Sequence, residues 1–374
     1  MKPAGPRPTV AIVAGARPNF MKVAPVLRAV AARDYGFDLI LVHTGQHYSP
    51  ELSDVFFQQL GIRVPDVHLE AGSGTHGAQT ARVLESFETW LLAASPRPVA
   101  VVVVGDINST IAATLAAKKL GLGVIHLEAG LRSFDRDMPE EINRLATDAI
   151  SDLLLVSEPA GEINLRKEGV STERVAYVGN VMIDTLAHHV EDVRQTSGQT
   201  PPPSPYALVT LHRPSNVDGR QELSAVVAFL LKIGQRLNVA FPVHPRTQKN
   251  LDSFGLTARL AESGKIRLLP PQGYLENLSL MLNAAVVITD SGGIQEETSW
   301  LGVPCLTVRE NTERPVTVSL GTNTLVGRDF EMAGQLVSDI LDGTYKTGSQ
   351  IPGWDGHAAE RAAEAIAGFL AKQA

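Results

Sequence analysis

Residues 288–297 read ITDSGGIQEE: an apolar, β-branched run that stops at Asp290, a Ser-Gly-Gly turn, and then residues that continue as a helix. A buried strand that passes through glycines straight into a helix is a building unit of parallel α/β sheets. The same alternation extends in both directions. YALVTLH (206–212), VAFPVH (239–244), IRLL (266–269), VVITD (286–290) and CLTV (305–308) are separated by stretches of helical spacing. The first half runs likewise through TVAIVA (9–14), DLILVH (38–43), VAVVVV (99–104), VIHL (124–127) and DLLLVS (152–157). Two such series predict two Rossmann-like, doubly wound parallel sheets with helices on both faces.

Between the series lies QTSGQTPPPSP (195–205), whose consecutive prolines cannot continue a helix and whose composition is that of a linker. The expected organisation is therefore an N-terminal domain over 1–195 and a second over 206–353. A final helix over 354–374, after the loop GTYKTGSQIPGWDG (343–356), is expected to pack back on the first domain. In doubly wound sheets ligands bind beyond the carboxyl ends of the strands, so two facing domains are expected to share a cleft lined by their βα loops.

The chain has 374 residues, more than a single core usually accommodates, and its 44% hydrophobic, 20% charged composition is that of an ordinary α/β protein. A net charge of −7 argues against nucleic acid or an anionic membrane as a partner, while leaving room for a local cationic pocket. No apolar run approaches the roughly 20 residues that span a bilayer. Residues 1–8 (MKPAGPRP) lack the apolar core of a signal peptide, so a cytoplasmic location is expected. Cys305 is the only cysteine, set in VPCLTV as a buried strand residue rather than a nucleophile.

The residues that carry chemistry sit just after strands. In ITDSGGIQEE, Gly292 and Gly293 let an anion approach the helix N-terminus, and Ser291 adds a hydroxyl, an arrangement suited to a pyrophosphate. Glu297 is placed to reach ribose hydroxyls; alternatively, Glu296 and Glu297 merely complement the helix dipole. TERPVT (312–317) offers Arg314 as a partner for Glu297 or for a diphosphate. AGARPNFMK (14–22) opens a helix with Arg17 and Lys22, either anion ligands or solvated cations.

Acid–base candidates are Asp106 in VVGDINST, Glu128 in HLEAGLRS, and Glu140 with Glu141 in MPEEINR, each following an apolar segment where a shifted pKa is feasible and where a surface carboxylate is the alternative. His212 in LVTLHRPSN is either a proton carrier near neutrality or a structural histidine. Gly72, Gly74 and Gly77 spell GxGxxG, but VHLEA before them makes a poor strand, so dinucleotide binding is not expected. Histidines 43, 47, 76, 126, 188, 189 and 244 show no HExxH-like spacing, and no metal is expected.

Read together and in order, GARPNFMKVAPV, HTGQHYSPEL, GDINST, HLEAGLRS, PEEINR, TLHRPSNVD, TDSGGIQEE and TERPVT resemble UDP-N-acetylglucosamine 2-epimerases of the non-hydrolysing type over nearly the whole chain. The resemblance implies a GT-B-like fold, a cleft that closes on a UDP-sugar substrate, a homodimer, and no cofactor. It implies Asp106, Glu128, Glu140 and His212 as the acid–base group. Arg17, Lys22, His244, Ser291, Gly292, Gly293, Glu297 and Arg314 are implied around UDP.

The implied reaction interconverts UDP-GlcNAc and UDP-ManNAc by elimination of UDP to a 2-acetamidoglucal and re-addition. Rivals are a C2 epimerase of a modified sugar such as a UDP-diacetamido-uronic acid, a hydrolysing 2-epimerase, and a GT-B glycosyltransferase. GDINST in place of a GDR-type block speaks against the hydrolytic rival, and the carboxylate set against the transferase. A short-chain NAD-dependent epimerase would need Tyr and Lys four apart, a spacing this sequence lacks. Departures also occur: Asn19 and Asn277 replace Glu and Phe of many relatives, Pro214 and Ser215 replace Arg and Glu, and Tyr48 and Ser49 follow Gln46-His47. Relatives use these segments for an allosteric UDP-sugar, so activation by substrate is expected to be weak or absent.

Overall fold

A computed structural model describes residues 7–45, 60–195 and 202–373, excepting the side chain of Arg17. The chain divides into two compact units, one of residues up to 187 joined by 352–374, the other of residues 188–351.

The first unit is a seven-stranded sheet ordered β3-β2-β1-β4-β5-β6-β7, with every pairing parallel. Its strands are β1 (Thr9–Ala14), β2 (Asp38–His43), β3 (Val67–His68), β4 (Ala100–Val104), β5 (Gly123–Ala129), β6 (Leu153–Val156) and β7 (Val175–Tyr177). Its helices are α1 (Arg17–Ala32), α2 (His76–Ala93), α3 (Asn108–Lys119), α4 (Pro139–Ile150), α5 (Pro159–Lys167) and the start of α6 (Val181–Gln195). Strands β1, β4 and β5 are buried along their whole length, as a sheet covered on both faces requires, which is why they read as continuous apolar runs. VHLEA does contain a strand, but of two residues at the sheet edge.

The second unit is a six-stranded parallel sheet ordered β10-β9-β8-β11-β12-β13. It is built from β8 (Tyr206–Thr210), β9 (Asn238–Pro242), β10 (Ile266–Leu269), β11 (Val286–Thr289), β12 (Cys305–Thr307) and β13 (Asn323–Leu325). Helices α7 (Pro214–Val217), α8 (Arg220–Ile233), α9 (Pro245–Ser253), α10 (Thr257–Ala261), α11 (Tyr274–Leu282), α12 (Gly292–Leu301), α13 (Pro315–Ser319) and α14 (Phe330–Leu341) cover it. Leu223, Val226, Val227 and Leu230 of α8 pack at helical spacing against Val209, Val239 and Phe241 of the sheet.

The chain then returns to the first unit. Trp354 is buried and its indole N–H donates to the Ser157 carbonyl at 2.9 Å. Asp184 accepts the Ala358 and Ala359 amides and so caps α15 (Ala358–Gln373), which lies on α1. In each sheet the strand order reverses once at the centre, between β1 and β4 in the first and between β8 and β11 in the second. The loops leaving these strand pairs part in opposite directions and leave a crevice at the sheet's carboxyl end.

Candidate active site

At the switch point of the first sheet, Asn19 of α1 accepts from the Gly15 amide and donates to the Val104 carbonyl, tying the loop after β1 to the end of β4. Gly105 follows with φ +66°. A Cβ there would lie 3.2 Å from Lys22 Nζ and 3.3 Å from Glu128 Oε2. Lys22 and Glu128 are themselves a buried ion pair, so the anion that Lys22 meets in this structure is Glu128. Glu128 sits where the β5–β6 register slips between Leu127 and Ala129, with φ +73°. A left-handed, non-glycine residue at a bulge re-aims its side chain at a cost of about 1–3 kcal/mol, a cost met mainly at functional sites.

Asp106, next to Gly105, receives Arg144 Nη2 at 2.6 Å and Nε at 3.0 Å. Arg144 also reaches Glu141 at 2.6 Å. Glu141 takes the Ser133 and Phe134 amides at 2.9 and 3.0 Å, and although burial alone would raise its carboxyl, these bonds and Arg144 bring it below its usual range. Of the two adjacent glutamates, Glu141 thus ties down the loop, while Glu140 lies half-exposed on the first turn of α4. Asp106 and Glu128 flank one glycine, and each has a cation in contact. The sequence reading does not single out Arg144; its position three residues after Glu141 on a helix is the signal that could have found it.

In the second unit, Asp290 follows β11 and is fully buried at the switch point. It accepts the His212 and Arg213 amides at 3.0 and 2.9 Å, Asn216 Nδ2 at 3.0 Å, and lies 3.0 Å from His212 Nδ1. Burial alone would raise its carboxyl; His212, Asn216 and the Arg213 amide bring it below the ordinary value. The His244 ring, 5.6 Å from that of His212, caps α9 by accepting the Arg246 amide on Nδ1 at 3.2 Å.

Ser291 precedes α12, whose first residues are Gly292 and Gly293. A Cβ on Gly292 would meet Arg314 Nη1 at 2.7 Å, so glycine is what admits the guanidinium beside this helix N-terminus. Arg314 is bound to Glu296 at 2.5 Å, with Glu313 at 3.4 Å, and not to Glu297 as one reading of the sequence had it. Glu297 is buried; desolvation and the neighbouring Glu296 push its carboxyl up to about 8 against the Tyr274 hydroxyl beside it. Arg17 begins α1, its side chain outside the described atoms, and Gln46, His47, Tyr48 and Ser49 lie outside the described residues.

Two doubly wound parallel-sheet units, one with two ion-paired carboxylates near its switch point and the other with histidines and a glycine-fronted helix N-terminus, make this a GT-B-like α/β protein. The family model described as UDP-N-acetylglucosamine 2-epimerase matches residues 29–367; the chain belongs to that family and is an isomerase.

It is 42% identical over 340 residues to a UDP-N-acetylglucosamine 2-epimerase of Methanococcus maripaludis, covering 89% of this chain and 91% of the relative. A UDP-2,3-diacetamido-2,3-dideoxy-D-glucuronate 2-epimerase of Pseudomonas aeruginosa is 38% identical over 360 residues, covering 95% and 98%. Among solved structures, the Methanocaldococcus jannaschii UDP-GlcNAc 2-epimerase in complex with UDP-GlcNAc and UDP superposes with a TM-score of 0.86 at 38% identity, over 97% of this chain and 99% of that one.

Proposed function

We propose that the enzyme interconverts UDP-GlcNAc and UDP-ManNAc without a redox cofactor. The C2 hydrogen of the sugar adjoins an acetamido nitrogen and not a carbonyl, so direct deprotonation is unfavourable. Departure of UDP from C1 develops positive charge at the anomeric carbon, and C2–H then becomes acidic enough for a carboxylate to remove. The products are a 2-acetamidoglucal and UDP; UDP adds back as a proton arrives on the other face of C2.

Asp106, Glu128 and Glu140 share this proton traffic, with Arg144 and Lys22 balancing the first two. The observation that carries the reading is that Gly105 has Asp106 next to it in the chain and Glu128 Oε2 3.3 Å from where its Cβ would lie, each carboxylate with its own cation. In the second unit the N-terminus of α12 with Ser291, Gly292, Gly293 and Arg314 suits a diphosphate, and Glu297 suits ribose hydroxyls as donor or acceptor, since a carboxyl raised to about 8 is protonated at neutral pH. His212 assists the departing diphosphate. Support for the substrate also comes from the relatives named for it.

The test is proton NMR of UDP-GlcNAc with the protein in D2O and no added cofactor. The manno isomer carrying deuterium at C2 is the expected product. Free N-acetylmannosamine and UDP would replace this reading with hydrolysis, and an unchanged spectrum would overturn the substrate assignment. Asp106→Asn, Glu128→Gln and Glu140→Gln, assayed separately for C2 exchange, test the carboxylates; parent rates in all three would remove their roles.

A further inference from the structure

Asp290 faces four donors: the His212 and Arg213 amides, Asn216 Nδ2 and His212 Nδ1. An ionised carboxylate only accepts hydrogen bonds, so the hydrogen of the His212–Asp290 contact belongs to His212 Nδ1. The neutral ring then carries its lone pair on Nε2. His244 is held the opposite way. Its Nδ1 accepts the Arg246 amide at the start of α9, and a nitrogen that accepts cannot carry hydrogen, so the neutral His244 ring bears its proton on Nε2. Partial desolvation, His212 and Arg246 oppose a positive charge on His244 and outweigh Asp290, which favours one. Both rings remain exposed, 5.6 Å apart, and within one unit.

We propose that Asp290 and the Arg246 amide lock His212 and His244 in opposite tautomers, making His212 the proton-exchanging partner of a phosphate oxygen through Nε2 and His244 a fixed N–H donor to such an oxygen. Asp290 is a positioning residue, acting through His212: it sets the tautomer, aims the ring, and provides the counter-charge when Nε2 is protonated. The division of labour rests on the function proposed above. As the C1–O bond breaks, the proton on Nε2 of the imidazolium passes to a departing phosphate oxygen, leaving neutral His212 with hydrogen on Nδ1; re-addition returns it. His244 gives up no proton, since doing so would leave an imidazolate. Asparagine at 290 has one acceptor atom in place of two and adds two donors of its own, so it cannot serve all four donors and has no charge to offset an imidazolium.

The tautomers are read directly, without turnover. Long-range proton–nitrogen correlation spectra of the full chain labelled with 15N-histidine, recorded where both rings are neutral, are assigned from His212→Gln and His244→Gln. The expected wild-type spectrum shows protonated Nδ1 for His212 and protonated Nε2 for His244. The same tautomer in both rings would overturn the proposal even if Asp290→Asn does not fold.

Where Asp290→Asn folds, His212 is expected to move to the Nε2-protonated form, His244 to stay as it was, and kcat to fall on the order of 100-fold with KM nearly unchanged. A His212 signal unmoved by Asp290→Asn would likewise sink it. Opposite tautomers in a protein that leaves UDP-sugars untouched would instead refute the function and leave the tautomer lock standing.

Discussion

Gly105→Ala separates the backbone requirement at the first switch point from the packing of the ion pair beside it. Gly105 has φ +66°, and a left-handed conformation costs an L-residue about 1–2 kcal/mol. Gly121, at φ +73°, is a matched control in the same unit, because a Cβ there meets nothing within 4 Å. Gly121→Ala should therefore lower stability by the backbone cost alone, a fall in Tm of about 2–8 °C for a unit of this size.

At Gly105 the new methyl would sit 3.2 Å from Lys22 Nζ and 3.3 Å from Glu128 Oε2, distances that force these neighbours to move by a few tenths of an ångström, and in ordinary contact with Asn19 Nδ2 at 3.5 Å. The surrounding groups are buried and engaged with one another, so a further ~1 kcal/mol is expected. Displacement of a reacting carboxylate should cut kcat by about 10-fold, while Gly121→Ala keeps the parent rate. Urea unfolding and the C2-deuteration assay on both variants decide the matter. Equal stabilities and equal rates would refute the claim that Gly105 is the floor on which the Lys22–Glu128 pair rests.

Burial, aided by His68, holds the His43 imidazole down at about 4 from 6.5. The unfolded chain therefore binds more protons between those values, so stability should fall as pH drops from 6.5 towards 4, by up to about 3 kcal/mol, and His43→Leu should flatten urea midpoints over that window. Because Glu297 is protonated at pH 7, Glu297→Gln should cost under about 1.5 kcal/mol, whereas Glu296→Gln weakens the buried Arg314 pair and should cost about 3 kcal/mol; the reverse order in denaturant titrations would contradict the assignment of charge between them. Trp354→Ala should remove about 3–5 kcal/mol from the first unit, seen as earlier proteolysis or melting of that unit than of the second.

The fold was legible wherever strands were buried on both faces, since TVAIVA, VAVVVV and VVIT have no polar face to blur them. The strands that escaped notice, β3, β7 and β13, are two or three residues long and stand at sheet edges, where partial exposure dilutes the apolar signal. In the site, the carboxylates and glycines were readable because their positions after strands are local facts. What sequence spacing cannot supply is partner choice across long separations. Lys22 meets Glu128, 106 residues away, and Asp290 meets His212, 78 residues back. Arg314 prefers Glu296 to Glu297 because adjacent helical residues point in different directions, a distinction set by helix phase and burial.

The return of the chain to its first unit has a bearing on how the protein is made. The second unit is one uninterrupted segment and can close as soon as residue 351 has left the ribosome. The first, begun earlier, waits for the stretch from residue 352 onward to be synthesised before Trp354 and α15 reach their places. Until residues 358–373 have emerged, the growing chain displays the α1 surface that α15 will cover.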